Sequence, residues 1–160
     1  MKTEVIKLEV PADCNLILGQ SHFIKTIEDI YEAMVNTAPS SKFGVAFCES
    51  SGPCLVRREG NDENLVKAAA QNALRVGAGH CFILLLKNAY PINVLNTIKN
   101  VPEICHVYCA TANPVEVVVA ETELGRGILG VIDGKKSAGI EGMEEVNERK
   151  KFLRKIGYKF

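Results

Sequence analysis

The order of apolar and polar residues first predicts β-strands. Residues Thr3–Val10 alternate between the two classes, as expected of a strand with one buried face. Three later segments are apolar runs bounded by turn residues, a pattern typical of buried strands. These segments are Lys42–Cys48, His80–Leu86 and Ile104–Ala110. Two further β-prone runs, at 115–120 and 127–132, flank a turn and predict a hairpin.

Apolar residues spaced three and four apart predict helices between these strands. The first helix is expected to run to about residue 37, with Ser21 as its N-cap. The second begins after Asn61 or Asp62, either of which can cap it, and ends at Gly77. The remaining predicted helices are a short one that ends at Asn100 and a charged one over residues 143–155.

The succession of these elements predicts the fold class. Helices alternate with apolar strands over the first two-thirds of the chain, and the hairpin follows. We therefore expect an α/β fold, a single layered domain over residues 1–160 with a mixed β-sheet flanked by helices. Residues 54–58 are expected to form a strand that returns across the preceding Ser-Gly-Pro turn. The chain shows no repeat, low-complexity tract or linker.

Composition and charge argue against a nucleic-acid partner and a membrane partner. Apolar residues make up 47% and charged residues 24% of the chain, and the formal net charge is zero. A nucleic-acid partner is therefore not expected, since such proteins usually carry a basic excess. No apolar run approaches the roughly 20 residues that span a bilayer, so no membrane partner is expected. The N-terminus lacks the apolar core of a signal peptide, which predicts a cytoplasmic location.

The six cysteines predict free thiols. Four of them lie within apolar runs, where a free cysteine behaves as a small hydrophobic residue. No C-x-x-C pair is present, so we expect neither a disulfide framework nor a structural zinc site. Cys105 and Cys109 are four residues apart in a predicted strand and should point to the same face.

A histidine at a strand entry is the first candidate for chemistry. His80 follows Gly77-Ala78-Gly79 and precedes a rigid apolar run, so small residues leave space beside its imidazole. Such a group could act as a general base or as a phosphate-accepting nucleophile, or it could be only the first residue of a strand. His22 at a helix start and His106 within a strand have ordinary capping, surface or hydrogen-bonding roles as their simpler interpretations.

Polar side chains at strand ends are the second set of candidates. Glu49, Ser50 and Ser51 follow the strand that ends at Cys48, the usual position of a binding site in α/β folds. Glu49 could accept hydrogen bonds, and the two serines could hold phosphate or ribose hydroxyls. Thr111 and Asn113 follow a later strand in the same way. Ordinary turn chemistry explains these residues equally well.

A glycine-flanked arginine is the third candidate. Arg126 stands between Gly125 and Gly127, which would let an anion approach both the guanidinium and the backbone. The same residues also suit a plain hairpin turn. Asp133 opens a loop that could close over a ligand and contact a ribose or a metal. Neither a Walker A motif nor a dinucleotide-binding glycine motif is present.

Five segments carry a joint resemblance to a known family. They are FGVAFCESSGP at 43–53, GND at 60–62, AGH at 78–80, ATANP at 110–114 and GRGILGVIDG at 125–134. In this order and spacing, along nearly the whole chain, they resemble the adenosine-specific kinase family, a small and mostly archaeal and thermophilic group. The resemblance implies an α/β domain that binds adenosine or AMP, with a phosphohistidine in its chemistry.

The resemblance also implies roles for individual residues. His80, in the Ala-Gly-His motif, takes the role of the phosphorylated histidine, with His22 as the alternative. Glu49, Ser50 and Asn113 are then expected to hold adenosine, and Arg126 to stabilise the phosphoryl charge.

Two functions remain open on the sequence alone. One is a nucleoside phosphotransferase, and the other is a non-catalytic sensor of adenosine or AMP, which the missing Walker A motif favours. The phosphate donor is open, and Mg²⁺ is a possible cofactor because phosphoryl transfer generally uses it. The apolar fraction and the predicted hairpin leave surface for self-association, so we expect a homo-oligomer, a trimer or a hexamer.

Overall fold

The computed structural model describes residues 1–160 and contains eight strands and four helices. The strands are β1 (Lys2–Lys7), β2 (Asn15–Ser21), β3 (Lys42–Cys48), β4 (Val56–Gly60), β5 (Cys81–Lys87), β6 (Ile104–Thr111), β7 (Val115–Glu121) and β8 (Arg126–Asp133). The helices are α1 (Thr26–Thr37), α2 (Glu63–Val76), α3 (Pro91–Lys99) and α4 (Met143–Lys155).

The strands form two sheets where we expected one. The larger sheet has the order β4-β3-β5-β2-β6, and the smaller has the order β1-β7-β8. All neighbouring strands within both sheets run antiparallel. Parallel pairing occurs in an isolated β-bridge between Ala78 and Arg126, outside the named strand pairs. The expected layered α/β class is confirmed, and both predicted hairpins, β3–β4 and β7–β8, are present.

The larger sheet is buried on both faces. On β5, Cys81, Ile83 and Leu85 belong to a core shared with α2 and β7. The alternate residues Phe82 and Leu84 belong to a second core, which lies beneath α1 and α3. Burial on both faces explains why the sequence of β5 is an unbroken apolar run and does not alternate between apolar and polar residues.

Helix α2 has the ends that the sequence predicts. Asp62 is its N-cap, and the Asp62 carboxylate accepts a hydrogen bond from the Leu65 N–H at 3.1 Å. Gly77 ends the helix with φ of 62°, in the left-handed region that glycine adopts without a steric penalty. The helix packs closely on β3, because Gly44 leaves room for the α2 backbone at Leu65 and Val66.

The chain between β1 and α1 differs from the prediction. Residues Asn15–Ser21, which we had not assigned to an element, form the fully paired strand β2. Ser21 is the last residue of this strand, so its predicted role as the α1 N-cap is wrong. Lys25 occupies the N-cap position, and no side chain caps the helix there. The apolar run Leu16–Leu18 is buried on both sides of the strand, which removed the alternation that would have revealed it.

The cysteines confirm the prediction of free thiols. All six thiols are free, as expected. Cys105 is exposed and Cys109 is buried. The pairing of β2 with β6 shifts register twice along this stretch, between Leu18 and Gly19 and between Gln20 and Ser21, and the common face of the two thiols stays a prediction.

Helix α4 lies outside both cores. It has no buried residue, and its apolar side chains Met143 and Phe152 are 76% and 57% exposed. Neither α4 nor any other helix is both long enough and apolar enough to cross a membrane.

Candidate functional site

A groove lies at the edge of the larger sheet where β3 ends and β5 begins. Its walls are the end of β3 with the following turn, the turn after α2, and the tip of the β7–β8 hairpin. The groove has a volume of about 710 Å³. Its polar lining includes Glu49, Ser50 and Arg126, and its apolar lining includes Leu55, Leu74 and Leu124. We call this space the groove below.

Glycines keep the groove open at its centre. Gly77 and Gly79 line one side, and Gly125 and Gly127 line the other. A Cβ atom at Gly79 would lie 2.9 Å from the Ser50 Cβ, so only glycine allows the β3 turn to pack this closely. A bound molecule can therefore approach backbone N–H and C=O groups along both walls.

His80 occupies the turn directly before β5 and has an unusual backbone. Its φ is 61°, in the left-handed region that few residues other than glycine, asparagine, aspartate and histidine adopt. The His80 N–H donates to the Cys48 carbonyl oxygen at 2.8 Å, and the Ser21 N–H donates to the His80 carbonyl oxygen at 2.9 Å. These bonds tie the residue to the ends of both β3 and β2, which holds the strained conformation in place.

The imidazole of His80 points away from the groove. It stacks on the Phe47 ring, with 5.6 Å between ring centroids and 21° between planes. Phe47 belongs to the core beneath α1 and α3, whereas Cys48, next along the chain, lines the groove on the opposite face. His80 therefore borders the groove through its backbone and through Gly79, and its half-buried side chain does not line it.

Arg126 lies in the groove wall with its guanidinium already paired. Its Nε donates to the Glu121 carboxylate, and one terminal nitrogen lies 3.1 Å from a Glu4 carboxylate oxygen. The other terminal nitrogen donates to the Arg75 carbonyl oxygen at 3.1 Å. Two carboxylates thus outweigh the single positive charge, and an anion in the groove must compete with them for Arg126.

Glu49 is held at the groove rim by three hydrogen bonds. Its carboxylate accepts the Leu55 N–H at 3.0 Å and one Arg57 guanidinium nitrogen at 3.1 and 3.2 Å. The backbone bond from Leu55 is the main reason why the pKa of Glu49 is lowered from its ordinary value, and Arg57 adds to the effect. Glu49 is therefore an ionised acceptor that also fixes the shape of the β3–β4 turn.

This depressed pKa predicts a pH dependence for the turn. The folded-state pKa lies below the unfolded one, so the stabilisation by Glu49 is present above the unfolded pKa and is lost as pH falls through the folded value. We expect Glu49→Gln to be less stable than the parent at pH 7, and we expect that difference to shrink at acidic pH. Urea unfolding of both proteins at several pH values measures it, and a difference that grew at low pH would contradict this assignment.

Three of the candidate residues lie at the opposite edge of the larger sheet. Thr111 pairs with Leu16 at the start of β2, whereas Cys81 pairs with Gln20 near its end. Four residues of strand separate the two positions, a distance of about 13 Å. The structure thus separates Thr111, Asn113 and Asp133 from the groove. They contact one another instead, through Asn113 Nδ2 to Asp133 Oδ1 at 3.2 Å and the Asn113 N–H to Thr111 Oγ1 at 2.9 Å.

The other candidates do not line the groove. His22 follows β2 directly and is exposed, and its N–H donates to the Glu103 carbonyl oxygen at 2.8 Å. Ser51 is exposed in the β3–β4 turn and does not line the groove. His106 is exposed on β6, edge-on to Tyr108 at 4.4 Å.

Sequence reasoning missed the carboxylates around Arg126. Glu121 is the direct cross-strand partner of Arg126 in the β7–β8 hairpin. The predicted hairpin would have identified this partner if its residues had been paired across the turn. Glu4 comes from β1, and only the sheet order reveals it. The chain has no group of three or more His, Cys, Asp or Glu side chains that could hold a metal ion.

Comparison with known proteins places the chain in a family. A crystal structure of the PH1918 protein from Pyrococcus horikoshii OT3 is 49% identical in sequence, with a TM-score of 0.96. The match covers 99% of this chain and 98% of that one. Among curated proteins, none is similar enough to count as a match. The family model described as "Adenosine specific kinase" matches residues 6–159, and the chain therefore belongs to the adenosine-specific kinase family.

Proposed function

We propose that this chain binds adenosine or AMP in the groove and transfers a phosphoryl group to it through His80. Membership of the adenosine-specific kinase family supports an adenosine-related kinase function. The observation that carries the role of His80 is its backbone, which is held at φ of 61° beside the groove by hydrogen bonds to two strand ends. Strained residues of this kind cluster at functional sites.

The groove has the chemistry that a nucleoside requires. Leu55, Leu74 and Leu124 provide apolar surface for the adenine ring. Ser50 and the backbone of the glycine-rich walls offer hydrogen-bonding groups to the ribose. A volume of about 710 Å³ falls within the usual range for small-molecule sites.

The proposed transfer has two steps. An imidazole nitrogen of His80 attacks the phosphorus of a donor, so that a nitrogen–phosphorus bond forms and the bond to the donor's leaving oxygen breaks. The hydroxyl oxygen of adenosine or a phosphate oxygen of AMP then attacks the same phosphorus, the nitrogen–phosphorus bond breaks and the imidazole leaves, and the proton of an attacking hydroxyl passes to water. To reach the groove, the imidazole must rotate away from Phe47 about its Cα–Cβ bond. Arg126 stabilises the transferred charge only if it exchanges a carboxylate partner for the phosphoryl oxygens.

A second function is supported by the pairing of Arg126. Since Glu4 and Glu121 already surround this guanidinium, the groove offers no free cation for a phosphoryl group in its present arrangement. The chain also lacks a Walker A motif. Both features fit a sensor that binds adenosine or AMP without turnover, in which phosphate on a histidine would be a regulatory mark.

Binding and turnover measurements separate the two functions. Calorimetry with adenosine, AMP, ADP and ATP gives the affinity for each, and incubation with a labelled phosphate donor shows whether phosphate reaches the nucleoside. We expect adenosine or AMP to bind and to accept label. Binding without transfer from any donor would favour the sensor, and the absence of nucleoside binding would reject both functions.

The same proposal includes a homo-oligomer, a trimer or a hexamer. The exposed apolar residues of α4 and the 61% exposed Leu129 on the edge strand β8 support it, because such surface is usually covered by a partner. Light scattering in solution should give three or six times the mass of one chain. A mass equal to a single chain at all concentrations would reject self-association.

A further inference from the structure

Two buried thiols lie side by side at the base of the groove. Cys48 ends β3 and Cys81 begins β5, and their Sγ atoms are 3.5 Å apart. The two residues stand opposite each other across the strand pair, next to the paired residues Phe47 and Phe82. The pairing of β3 with β5 holds the two residues in this position.

The two thiols differ in access and in acidity. Cys48 lines the groove and is 5% exposed, whereas Cys81 is 1% exposed and lines a smaller neighbouring cavity. The Cys81 S–H donates to the Cys48 Sγ, and this hydrogen bond lowers the pKa of Cys48 in spite of its burial. The same contact, together with burial, raises the pKa of Cys81. Cys48 is thus the thiol that faces the groove and ionises first, and Cys81 is the protonated thiol beside it.

We propose that Cys48 and Cys81 form a reversible intramolecular disulfide on exposure to hydrogen peroxide, which makes the base of the groove a site of oxidative modification. The Cys48 thiolate attacks one peroxide oxygen, so that a sulfur–oxygen bond forms and the oxygen–oxygen bond breaks. The released hydroxide takes the proton of Cys81 and becomes water. The Cys81 thiolate then attacks the Cys48 sulfur and displaces hydroxide, and this hydroxide takes from solvent the proton that Cys48 lost on ionisation and becomes a second water. The two thiols lose two electrons, and the peroxide gains them.

The disulfide requires a small local movement. The sulfur atoms must close from 3.5 Å to about 2.0 Å, which rotation of the two side chains can supply. The new bond would join the strand end that carries Glu49 to the turn that carries Gly79, and so would fix one wall of the groove. The expected effect on nucleoside binding rests on the proposed function, whereas the disulfide itself does not.

Peptide mass spectrometry tests the bond directly. The exposed residues Cys54 and Cys105 are first replaced by Ser, to exclude their own disulfides. After peroxide treatment, alkylation of the unfolded protein and tryptic digestion, we expect peptides 43–57 and 76–87 to be joined, with the loss of two hydrogen masses. Dithiothreitol should release them. Recovery of both cysteines alkylated, or of Cys48 only as sulfinic or sulfonic acid, would overturn the proposal.

Two controls separate this pair from general oxidation. Cys109 is buried without a thiol partner, and burial raises its pKa to about 11, so it should stay fully alkylated in the same sample. In Cys81→Ser, which keeps a hydroxyl donor beside Cys48 but cannot form the disulfide, a sulfenic acid at Cys48 should persist and react with dimedone. Loss of Cys109 alkylation in step with Cys48, or absence of the dimedone adduct in Cys81→Ser, would contradict the assigned roles.

Calorimetry with AMP then asks whether the bond affects the groove. We expect oxidised protein to lose AMP binding and dithiothreitol to restore it. Equal affinity in the two forms would overturn the link between the disulfide and the groove. If the reduced protein does not bind AMP, the proposed function fails, but a disulfide found by mass spectrometry still stands.

Discussion

Substitution of His80 by Asn is expected to abolish phosphate labelling of the protein and to reduce transfer to adenosine or AMP by about 10³-fold or more. Asparagine tolerates the left-handed backbone region, so the turn before β5 should keep its φ of 61° and its bonds to Cys48 and Ser21. The variant therefore removes the nucleophile with little change to the backbone around it. Stability should stay within about 1 kcal/mol of the parent, and calorimetry should show retained nucleoside binding.

His22→Asn is the matched control for this substitution. His22 lies at the same edge of the sheet but is exposed. Its main-chain N–H donates to the Glu103 carbonyl oxygen, and this hydrogen bond does not involve the imidazole. Labelling and transfer should be unchanged in this variant. If His80→Asn keeps its label while His22→Asn loses it, the phosphorylated residue is His22, and the role assigned to His80 is wrong.

Gly44→Ala is expected to cause the largest loss of stability of any single change considered for this chain. A Cβ at this position would overlap the α2 backbone at Leu65 and Val66, which are held by the helix and cannot rotate away. Helix α2 would have to move off β3, and the core containing Ala69 and Ala73 would open. We expect the free energy of unfolding to fall by about 3 kcal/mol or more.

Gly130→Ala is the matched control for Gly44→Ala. Gly130 also lies in a strand, β8, but a Cβ there meets no atom within 4 Å. Its effect should stay within about 0.5 kcal/mol, since it touches no packed surface. Urea unfolding curves of the two variants provide the comparison. Similar midpoints for both would show that the close approach of α2 to β3 does not limit stability.

Much of the fold could be predicted from local sequence patterns, and strand β2, which could not, was missed for a physical reason. The caps of α2 and the continuous run of β5 were visible because their determinants are adjacent in sequence. Strand β2 was hidden partly by Gly19, since a glycine within a short run suggests a loop. In the structure this glycine is required inside the sheet, because a Cβ there would lie 2.6 Å from the His106 carbonyl oxygen.

The composition of the site was only partly predictable. Glu49, Ser50 and Arg126 line one groove, but Thr111, Asn113 and Asp133 lie at the other edge of the sheet. The sequence shows where each strand ends, but it does not show whether two strands run in the same direction. The sheet order and the pairing decide which strand ends lie together. Here β3 and β6 are separated by β5 and β2, and all neighbouring pairs are antiparallel, so β3 and β6 run in opposite directions.

A crystal structure of the protein with AMP tests the central claim most directly. We expect adenine against the leucines of the groove and the phosphate within reach of His80, with the imidazole turned away from Phe47. The Arg126 guanidinium should have exchanged a carboxylate for a phosphate oxygen if the protein is a phosphotransferase. AMP bound at the edge that carries Thr111, Asn113 and Asp133, with the groove empty, would contradict the proposed site.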